Sequence, residues 1–205
     1  LEQVCEKKGM KAQFNGDIEA LKHLKDGGVE VRTAEHGSAR YDGVVVCSGV
    51  SSRKFASQLG DRLNVYPVKR YSITVNLREQ SDRDAAPWVS LLDDETKIVA
   101  SRLGEDRFRV AGTAEINGFS RDIRQSRIDP LLGWCQELFP DMSTRSFVPW
   151  AGLRPMMPDM MPVVKAGRAP GVFYNTGHGH LGWTLSAATS SLVADLVGSR
   201  LAAAA

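Results

Sequence analysis

The feature that most constrains the fold is a glycine-rich loop between a short apolar segment and a long amphipathic segment. Val172–Thr176 is typical of a buried strand, Gly177-His-Gly-His-Leu-Gly182 follows at once, and helical periodicity continues to about Ser199. Small residues allow a ligand to approach the backbone, and the first turn of a helix carries unpaired N–H groups and a partial positive charge. The segment therefore predicts an anion-binding corner. The plainer alternative is a glycine turn that only packs the strand against the helix.

The loop matches the pattern G-x-G-x-x-G, but its surroundings disfavour the dinucleotide-binding interpretation of that pattern. The dinucleotide motif needs a second parallel strand after the helix, ending in an acidic residue that holds a ribose. Here the helical segment is followed only by Ala202–Ala205. We therefore expect the loop to face a ligand by some other means than ribose binding.

Composition excludes several classes of function. The 205 residues carry a formal net charge of +2, which is too small to indicate nucleic-acid binding. No apolar run approaches the roughly 20 residues of a membrane span. The three cysteines are widely spaced and form no C-x-x-C pair, which favours a reduced, cytoplasmic compartment. The four histidines show no metal-ligand spacing, so we predict no metal site.

The N-terminal third predicts the other half of a buried sheet. Val44-Val-Val-Cys-Ser-Gly49 is an unbroken apolar run, which is typical of a strand covered on both faces in a parallel sheet. Its small final residues, Ser48 and Gly49, permit close approach of a ligand; a plain core strand is the alternative. Further strands are expected at 10–14, 18–24 and 29–34, the last two joined by a Gly-Gly turn.

The middle of the chain predicts an antiparallel sheet with one helix. Closely spaced strand candidates, separated by charged turns, lie at 65–77, 88–92, 97–102 and 107–113. Asp129-Pro130 predicts a helix start, an apolar stripe follows at helical spacing, and Pro140 ends it. We therefore expect an α/β (α+β) fold. Its segments are 1–64 in the first layer, an antiparallel insert at 65–148, and a return to the first layer at 149–205.

Arg154 is the sharpest candidate for ligand binding. It lies in Gly152-Leu-Arg-Pro155, which we interpret as a turn with buried flanks, and a guanidinium there suits a carboxylate. A structural ion pair, for example to Asp159, is the alternative. Lys69, Arg70 and Tyr71 occupy the first strand of the insert, but alternation alone does not say which of them face a ligand.

Four segments, taken together, resemble a known family. They are YDGVVVCSG (41–49), VYPVKRYSITV (65–75), WAGLRPMMPD (150–159) and NTGHGHLGWT (175–184). In this order they resemble the C-terminal half of the FAD-dependent D-amino acid oxidase superfamily, in particular its bacterial D-amino acid dehydrogenase and glycine oxidase branch. The resemblance implies a partial FAD-binding, Rossmann-like domain (1–64 and 149–205) with an inserted antiparallel substrate-binding domain (65–148).

The resemblance also implies site residues. Arg154 matches the arginine that binds the substrate carboxylate, with Tyr71 and His180 as further substrate contacts. The implied FAD contacts are Ile18, Ser48, Gly49, Gly152, Leu153, His178, Gly179, His180, Leu181, Gly182, Trp183 and Thr184. Among these, the loop and helix start from His178 to Thr184 would lie against the pyrimidine edge of the flavin.

The implied activity is oxidation of a D-amino acid to a 2-oxo acid and ammonia, with FAD as cofactor and a quinone or the respiratory chain as electron acceptor. The location would be cytoplasmic, with peripheral attachment to the inner membrane as an alternative. Two departures stand out. The N-terminal unit that holds the FAD pyrophosphate is not in this sequence, so a missing half or a partner subunit would supply it, and methionines follow Asp159. The alternatives are a glycine or amine oxidase, a fragment that acts only with a partner, and a flavin-free carboxylate-binding module.

Overall fold

A computed structural model describes residues 1–202 and divides the chain into two compact units. The discontinuous unit comprises Leu1–Val65 and the chain from Asp159 onward, and the insert unit comprises Tyr66–Pro158. In chain order the elements are α1 (Glu2–Lys7), β1 (Ile18–His23), β2 (Val29–Thr33), β3 (Gly37–Tyr41), β4 (Val44–Val46), a 3-10 turn (Gly49–Ser51), α2 (Ser52–Gln58), β5 (Tyr66–Asn76), α3 (Gln80–Ala85), β6 (Leu91–Asp93), β7 (Ile98–Arg102), β8 (Arg107–Glu115), α4 (Gln125–Leu138), β9 (Phe147–Met156), β10 (Val163–Ala166), β11 (Val172–Thr176) and α5 (Gly182–Ala202).

The discontinuous unit contains two three-stranded sheets. The strands β1, β2 and β3 form an antiparallel meander, whose first hairpin turns at Gly27 and Gly28, both with positive φ. The second sheet has the order β10-β11-β4, with β4 parallel and β10 antiparallel to β11. The mixed α/β fold class is thereby confirmed. The expectation of one parallel sheet over 1–64 is wrong, since only β4 of that segment pairs in parallel.

Two local expectations in this unit also differ from the structure. Residues 10–14 form no strand. The strand β4 is not covered on both faces, because Val46 is buried whereas the side chain of Val45 is 37% exposed. An unbroken run of valines therefore marks a strand here, but not one enclosed by helices within the described chain.

The insert unit is a five-stranded antiparallel sheet of order β6-β7-β8-β5-β9, with α4 on one face. Alternate residues of the central strand β5, namely Tyr71, Ile73 and Val75, are buried in the core between sheet and helix. Helix α4 contributes Leu131 and Trp134 to that core. The opposite face of the sheet has no helix packed on it within residues 66–158.

Helix α4 begins at Gln125 rather than at the expected Asp129-Pro130. Pro130 is therefore inside the helix, where it removes only one early backbone hydrogen bond. Ile128 lies in the buried core, which gives the extra turn a packing reason. Of the expected apolar stripe, Leu138 is 50% exposed and does not belong to the core.

The boundary between the units also differs from the expected one. The segment 149–158 was expected in the first layer, but β9 pairs with β5 along ten residues, from Phe147 to Met156. Pro149 and Pro155 interrupt a hydrogen-bond ladder, so they favour a turn in a sequence-based interpretation. In the structure β9 is an edge strand, where proline is tolerated.

Candidate functional site

The glycine loop and the start of α5 form the most exposed part of the candidate site. Gly177 and Gly179 adopt positive φ values of 76° and 57°, which turn the chain sharply after β11. Leu181 closes the turn by donating its N–H to the carbonyl of His178 at 3.1 Å. Its own carbonyl accepts from Leu185 at 2.9 Å, which opens the helix. The N–H groups of the first helical turn, from Gly182 onward, are therefore free for a ligand.

A side-chain hydrogen bond of His178 links this loop to the helix that follows it. Its Nε2 lies 3.2 Å from Oγ1 of Thr189, which is about two turns into α5. The Thr189 hydroxyl donates to the carbonyl of Leu185 at 3.0 Å, so it accepts from an Nε2–H tautomer of His178. Burial lowers the pKa of His178, which favours the neutral imidazole at pH 7. The expected neighbours His180 and Trp183 instead project outward, and Trp183 is 88% exposed.

The carboxyl ends of the parallel strands β4 and β11 are tied together by hydroxyl groups. The buried Ser52 Oγ lies 2.8 Å from Oγ1 of Thr176 at the end of β11, and 3.2 Å from Oγ of Ser48. Thr176 also donates to the carbonyl of Gly49 at 3.4 Å. Ser48 and Gly49 therefore lie beside the residue that leads into the glycine loop. Ligands of α/β sheets bind at this end of the strands.

Ile18 lies in a different part of the discontinuous unit. It lines a cavity of about 310 Å³ together with Tyr41 and Val45, where the meander meets β4. The structure thus brings Ser48, Gly49 and the glycine loop together and places Ile18 at a second, apolar opening.

Arg154 lies in the edge strand β9 and not in a turn. It is directly opposite Val68 of β5, and Gly152 is opposite Arg70. Because side chains alternate along a strand, Arg154 and Arg70 share the sheet face without a helix. Burial, followed by the positive charge of Arg70, lowers the pKa of Arg154. The alternative partner Asp159 caps its own turn by accepting from the N–H of Met161 at 3.1 Å.

Gly152 is required by its neighbour on the same face. A Cβ at this position would overlap the ring of Trp150, whose indole therefore lies along the strand over Gly152. The guanidinium of Arg109 stacks 5.5 Å from the Trp150 ring and donates to Ser72 at 3.2 Å. This face of the sheet consequently presents an aromatic surface beside Arg154.

Tyr71 faces the opposite side of the sheet, so its expected contact with substrate is corrected. It is 1% exposed, and its hydroxyl donates to Glu115 at 2.7 Å. Lys69, which is fully buried, makes ion pairs with Glu115 at 3.1 Å and Asp122 at 2.8 Å. Burial works against the charged lysine, but hydrogen bonds to Asp122, Tyr71 and Glu115 hold the pKa of Lys69 above its usual range. Leu153 pairs with Lys69 and shares this inner face.

The buried network explains why Tyr71 could not be assigned from the sequence. Lys69, Arg70 and Tyr71 are consecutive and all carry polar ends, so hydrophobic alternation is absent there. Only the register with β9 shows that Arg70, rather than Tyr71, lies beside Arg154. Of the three candidates that the sequence left open on this strand, Arg70 is therefore the one on the same face as Arg154.

The residues of the discontinuous unit fit an electron-rich, hydrogen-bond-accepting ring edge. The first-turn N–H groups of α5 have no partner within the helix, the positive-φ glycines have no side chains, and the Oδ1 atom of Asn175 is buried without a hydrogen-bond partner in the described chain. The pyrimidine edge of a flavin has both hydrogen-bond acceptors, which match such N–H groups, and a donor, which matches such an oxygen.

No helix among residues 1–202 is long and apolar enough to cross a membrane.

Comparison with known proteins identifies the family. Residues 1–196 match the model of the FAD dependent oxidoreductase (DAO) family, and the chain belongs to that family. It is 54% identical over 204 residues to a protein of Mesorhizobium japonicum named D-amino acid dehydrogenase 3. It is 41% identical over 203 residues to a D-amino acid dehydrogenase of Methylobacterium radiotolerans. These alignments cover 98% of this chain but 49% and 47% of the relatives, so the chain spans about half their length.

Solved structures show the same fold. The iminodiacetate oxidase from Chelativorans sp. BNC1 superposes with a TM-score of 0.81 at 21% identity, over 97% of this chain and 53% of the oxidase. The glycine oxidase from Geobacillus kaustophilus superposes with a TM-score of 0.78 at 24% identity, over 90% of this chain and 48% of the oxidase. At these identities the likeness establishes the architecture alone. FAD is the cofactor of the family.

Proposed function

We propose that this chain works in an FAD-dependent dehydrogenase that oxidises D-amino acids to 2-oxo acids and ammonia. The observation that carries the proposal is the 54% identity, over 98% of the chain, to a protein named D-amino acid dehydrogenase. The two features that the chain itself would contribute are the cation on the open sheet face and the helix start after the glycine loop.

In this proposal Arg154 binds the α-carboxylate of the substrate. A guanidinium presents two parallel N–H groups that match the two oxygens of a carboxylate. Partial burial strengthens such a contact. The hydrogen-bond ladder between β9 and β5 holds the backbone of Arg154 in place. Trp150, held over Gly152, would limit the motion of the bound substrate.

The glycine loop and the start of α5 would hold the flavin ring. When bound, FAD supplies the acceptor for the hydride that leaves the amine-bearing carbon. The N–H groups of Gly182 and Trp183 would donate to the ring edge, and the helix dipole would favour negative charge there. His178, neutral and fastened to Thr189, keeps the loop in this arrangement without adding a charge. Ser48, Gly49 and Leu181 would complete the surface on which the flavin lies.

The adenosine half of FAD would meet the discontinuous unit near Ile18. The apolar cavity beside β4 has the size of a small ring system, about 310 Å³, and is lined by Ile18, Tyr41 and Val44. Pyrophosphate binding would require a nucleotide-binding segment of the kind that the longer relatives have room for, on the same polypeptide or on a partner.

We further propose a quinone of the respiratory chain as the electron acceptor, reached from the cytoplasmic face of the inner membrane. Support for this comes from the resemblance to the dehydrogenase branch. An oxidase of glycine or other amines is the competing function. Oxygen consumption without added acceptor favours the oxidase, and reduction of a soluble quinone analogue without oxygen consumption favours the dehydrogenase.

A substitution of Arg154 tests the proposal at its carboxylate contact. In the FAD-loaded protein, Arg154→Gln should raise KM for D-alanine by about 10- to 100-fold, since a charge-assisted hydrogen-bond pair is lost. Arg154→Lys should recover part of that loss, because charge returns without the planar fork. An unchanged KM in Arg154→Gln would exclude this carboxylate contact.

A further inference from the structure

The open face of the insert sheet carries two arginines at adjacent positions. Arg70 of β5 lies directly opposite Gly152, and Arg154 lies two residues further along β9. Diagonal positions of this kind are about 7–8 Å apart, within reach of long side chains. The effect of Arg70 on the pKa of Arg154 agrees with this proximity.

Neither arginine is neutralised within the insert unit. The ion pairs of that unit involve Lys69, Lys97, Arg107 and Arg124. Both Arg70 and Arg154 are nevertheless half-buried. Two neighbouring cations that are partly removed from water repel each other, unless an anion binds between them or beside them.

The buried Lys69, one residue away, shows what a structural cation looks like in the same sheet. It has two carboxylates within 3.1 Å and a hydrogen-bond network that also includes Tyr71. The fold therefore supplies anions where a positive charge serves stability. Within the described insert unit, no carboxylate forms an ion pair with Arg70 or Arg154, which is the pattern of a site whose anions arrive with the ligand.

The face presents an exposed aromatic surface next to Arg70. The cross-strand neighbour of Arg70, Gly152, has no side chain, and the flat Trp150 ring lies over it with 51% of the residue exposed. A ligand that contacts this indole would lie beside the strand positions of both Arg70 and Arg154.

We propose that Arg70 binds a second carboxylate of the substrate, so that the preferred substrates are D-amino acids with an acidic side chain, such as D-aspartate and D-glutamate. This inference rests on the proposed function, in which Arg154 binds the α-carboxylate. Arg70 then determines specificity, because it contacts only the part of the substrate that varies.

The test compares D-glutamate with D-glutamine, which has nearly the same shape and no side-chain charge. The FAD-loaded protein is assayed with a soluble quinone analogue, as wild type, Arg70→Gln and Arg70→Lys. Arg145→Gln is the matched control, because Arg145 is exposed and precedes the far end of β9. Flavin content of each variant is measured by absorbance.

We expect wild type to have a kcat/KM at least about 10-fold higher for D-glutamate than for D-glutamine. Arg70→Gln should lower the D-glutamate value by about 10- to 100-fold, mainly through KM, and leave D-glutamine within about 3-fold. The kcat/KM of Arg70→Lys for D-glutamate should lie between those of wild type and Arg70→Gln. Arg145→Gln should match wild type with both substrates. Glutarate should perturb the flavin spectrum at lower concentration than butyrate in wild type, but not in Arg70→Gln.

Several results would overturn the inference. An equal loss for both substrates would assign Arg70 to the shared α-carboxylate or to folding, and equal binding of glutarate and butyrate by wild type would remove the second anion site. If wild type oxidises neutral D-amino acids but not D-glutamate, the proposed role of Arg70 is refuted and the proposed function is not. Wild type that oxidises no D-amino acid would refute the proposed function itself.

Discussion

The strand that leads into the glycine loop is anchored by one buried hydroxyl, and its removal has a calculable cost. Tyr174 of β11 is fully buried and donates to Oδ2 of Asp61 at 2.8 Å, and the Asp61 side chain is 6% exposed. A buried hydrogen bond to a charged group contributes about 1.5–3 kcal/mol. In Tyr174→Phe, Asp61 keeps the long contacts from the Arg168 N–H, at 3.2 and 3.3 Å, and a 3.9 Å ion pair with the exposed Nε of Arg168. We therefore expect a loss of about 2 kcal/mol.

Urea unfolding of the FAD-loaded protein, followed by circular dichroism, measures this loss. With a slope of about 2 kcal/mol per molar urea, the midpoint should fall by roughly 1 M. Tyr66→Phe is the control, because Tyr66 is 38% exposed and its hydroxyl makes no hydrogen bond in the described chain. A midpoint for Tyr174→Phe that equals that of the control would refute the reasoning.

The same contact predicts the response to alkali. Burial, and then the Asp61 carboxylate, raise the pKa of Tyr174 above its usual value. The protonated phenol is therefore favoured in the folded state, and its contribution is present below about pH 10 and lost as the pH rises further. Wild type should lose stability above pH 10 more steeply than Tyr174→Phe.

Two further predictions concern the insert sheet and the glycine loop. Hydrogen bonds from Thr96, then Trp134, lower the pKa of Asp93 to about 2, so its contribution to stability is present above about pH 4 and lost as the pH falls towards 2. Asp93→Asn should therefore show a smaller drop in urea midpoint between pH 7 and pH 3 than wild type, and an identical drop would refute this assignment. Thr189→Val removes the hydroxyl partner of His178 and should weaken FAD binding about 3- to 10-fold in fluorescence titrations, whereas Ser190→Ala, on the same helix, should not. Equal affinities of Thr189→Val and Ser190→Ala would show that the hydrogen bond does not hold the loop.

Much of the architecture could be predicted from the sequence, because strong local patterns coincide with the elements. The glycine loop marks the junction of β11 and α5, and the closely spaced strands of the insert form an antiparallel sheet. The helix ending before Pro140 also agrees, because proline cannot continue the hydrogen-bond pattern.

The failures have a common physical origin in tertiary pairing. The segment Gly152-Leu-Arg-Pro155 suggested a turn, yet an edge strand needs only one row of hydrogen bonds, so β9 accommodates Pro155. Helix α4 extends five residues before its proline because Ile128 is buried against the sheet. Neither effect is visible in a local window of sequence.

The candidate site was only partly predictable for the same reason. The loop residues from His178 to Thr184 are consecutive, so a motif identifies them together. The open sheet face is assembled from two strands about 80 residues apart in the chain, and its composition depends on register. A shift of one residue exchanges Arg70 for Tyr71, which is the difference between a cation on the open sheet face and a buried structural hydroxyl.

The most direct test of the central claim is anaerobic reduction of the bound flavin by matched enantiomers. The FAD-loaded protein is mixed with D-alanine, L-alanine, D-glutamate or L-glutamate, and absorbance near 450 nm is followed without an electron acceptor. We predict that the flavin bands bleach with the D-enantiomers and persist with the L-enantiomers. Flavin that stays oxidised with every D-amino acid, in protein that retains its FAD, would contradict the proposed D-amino acid dehydrogenase function.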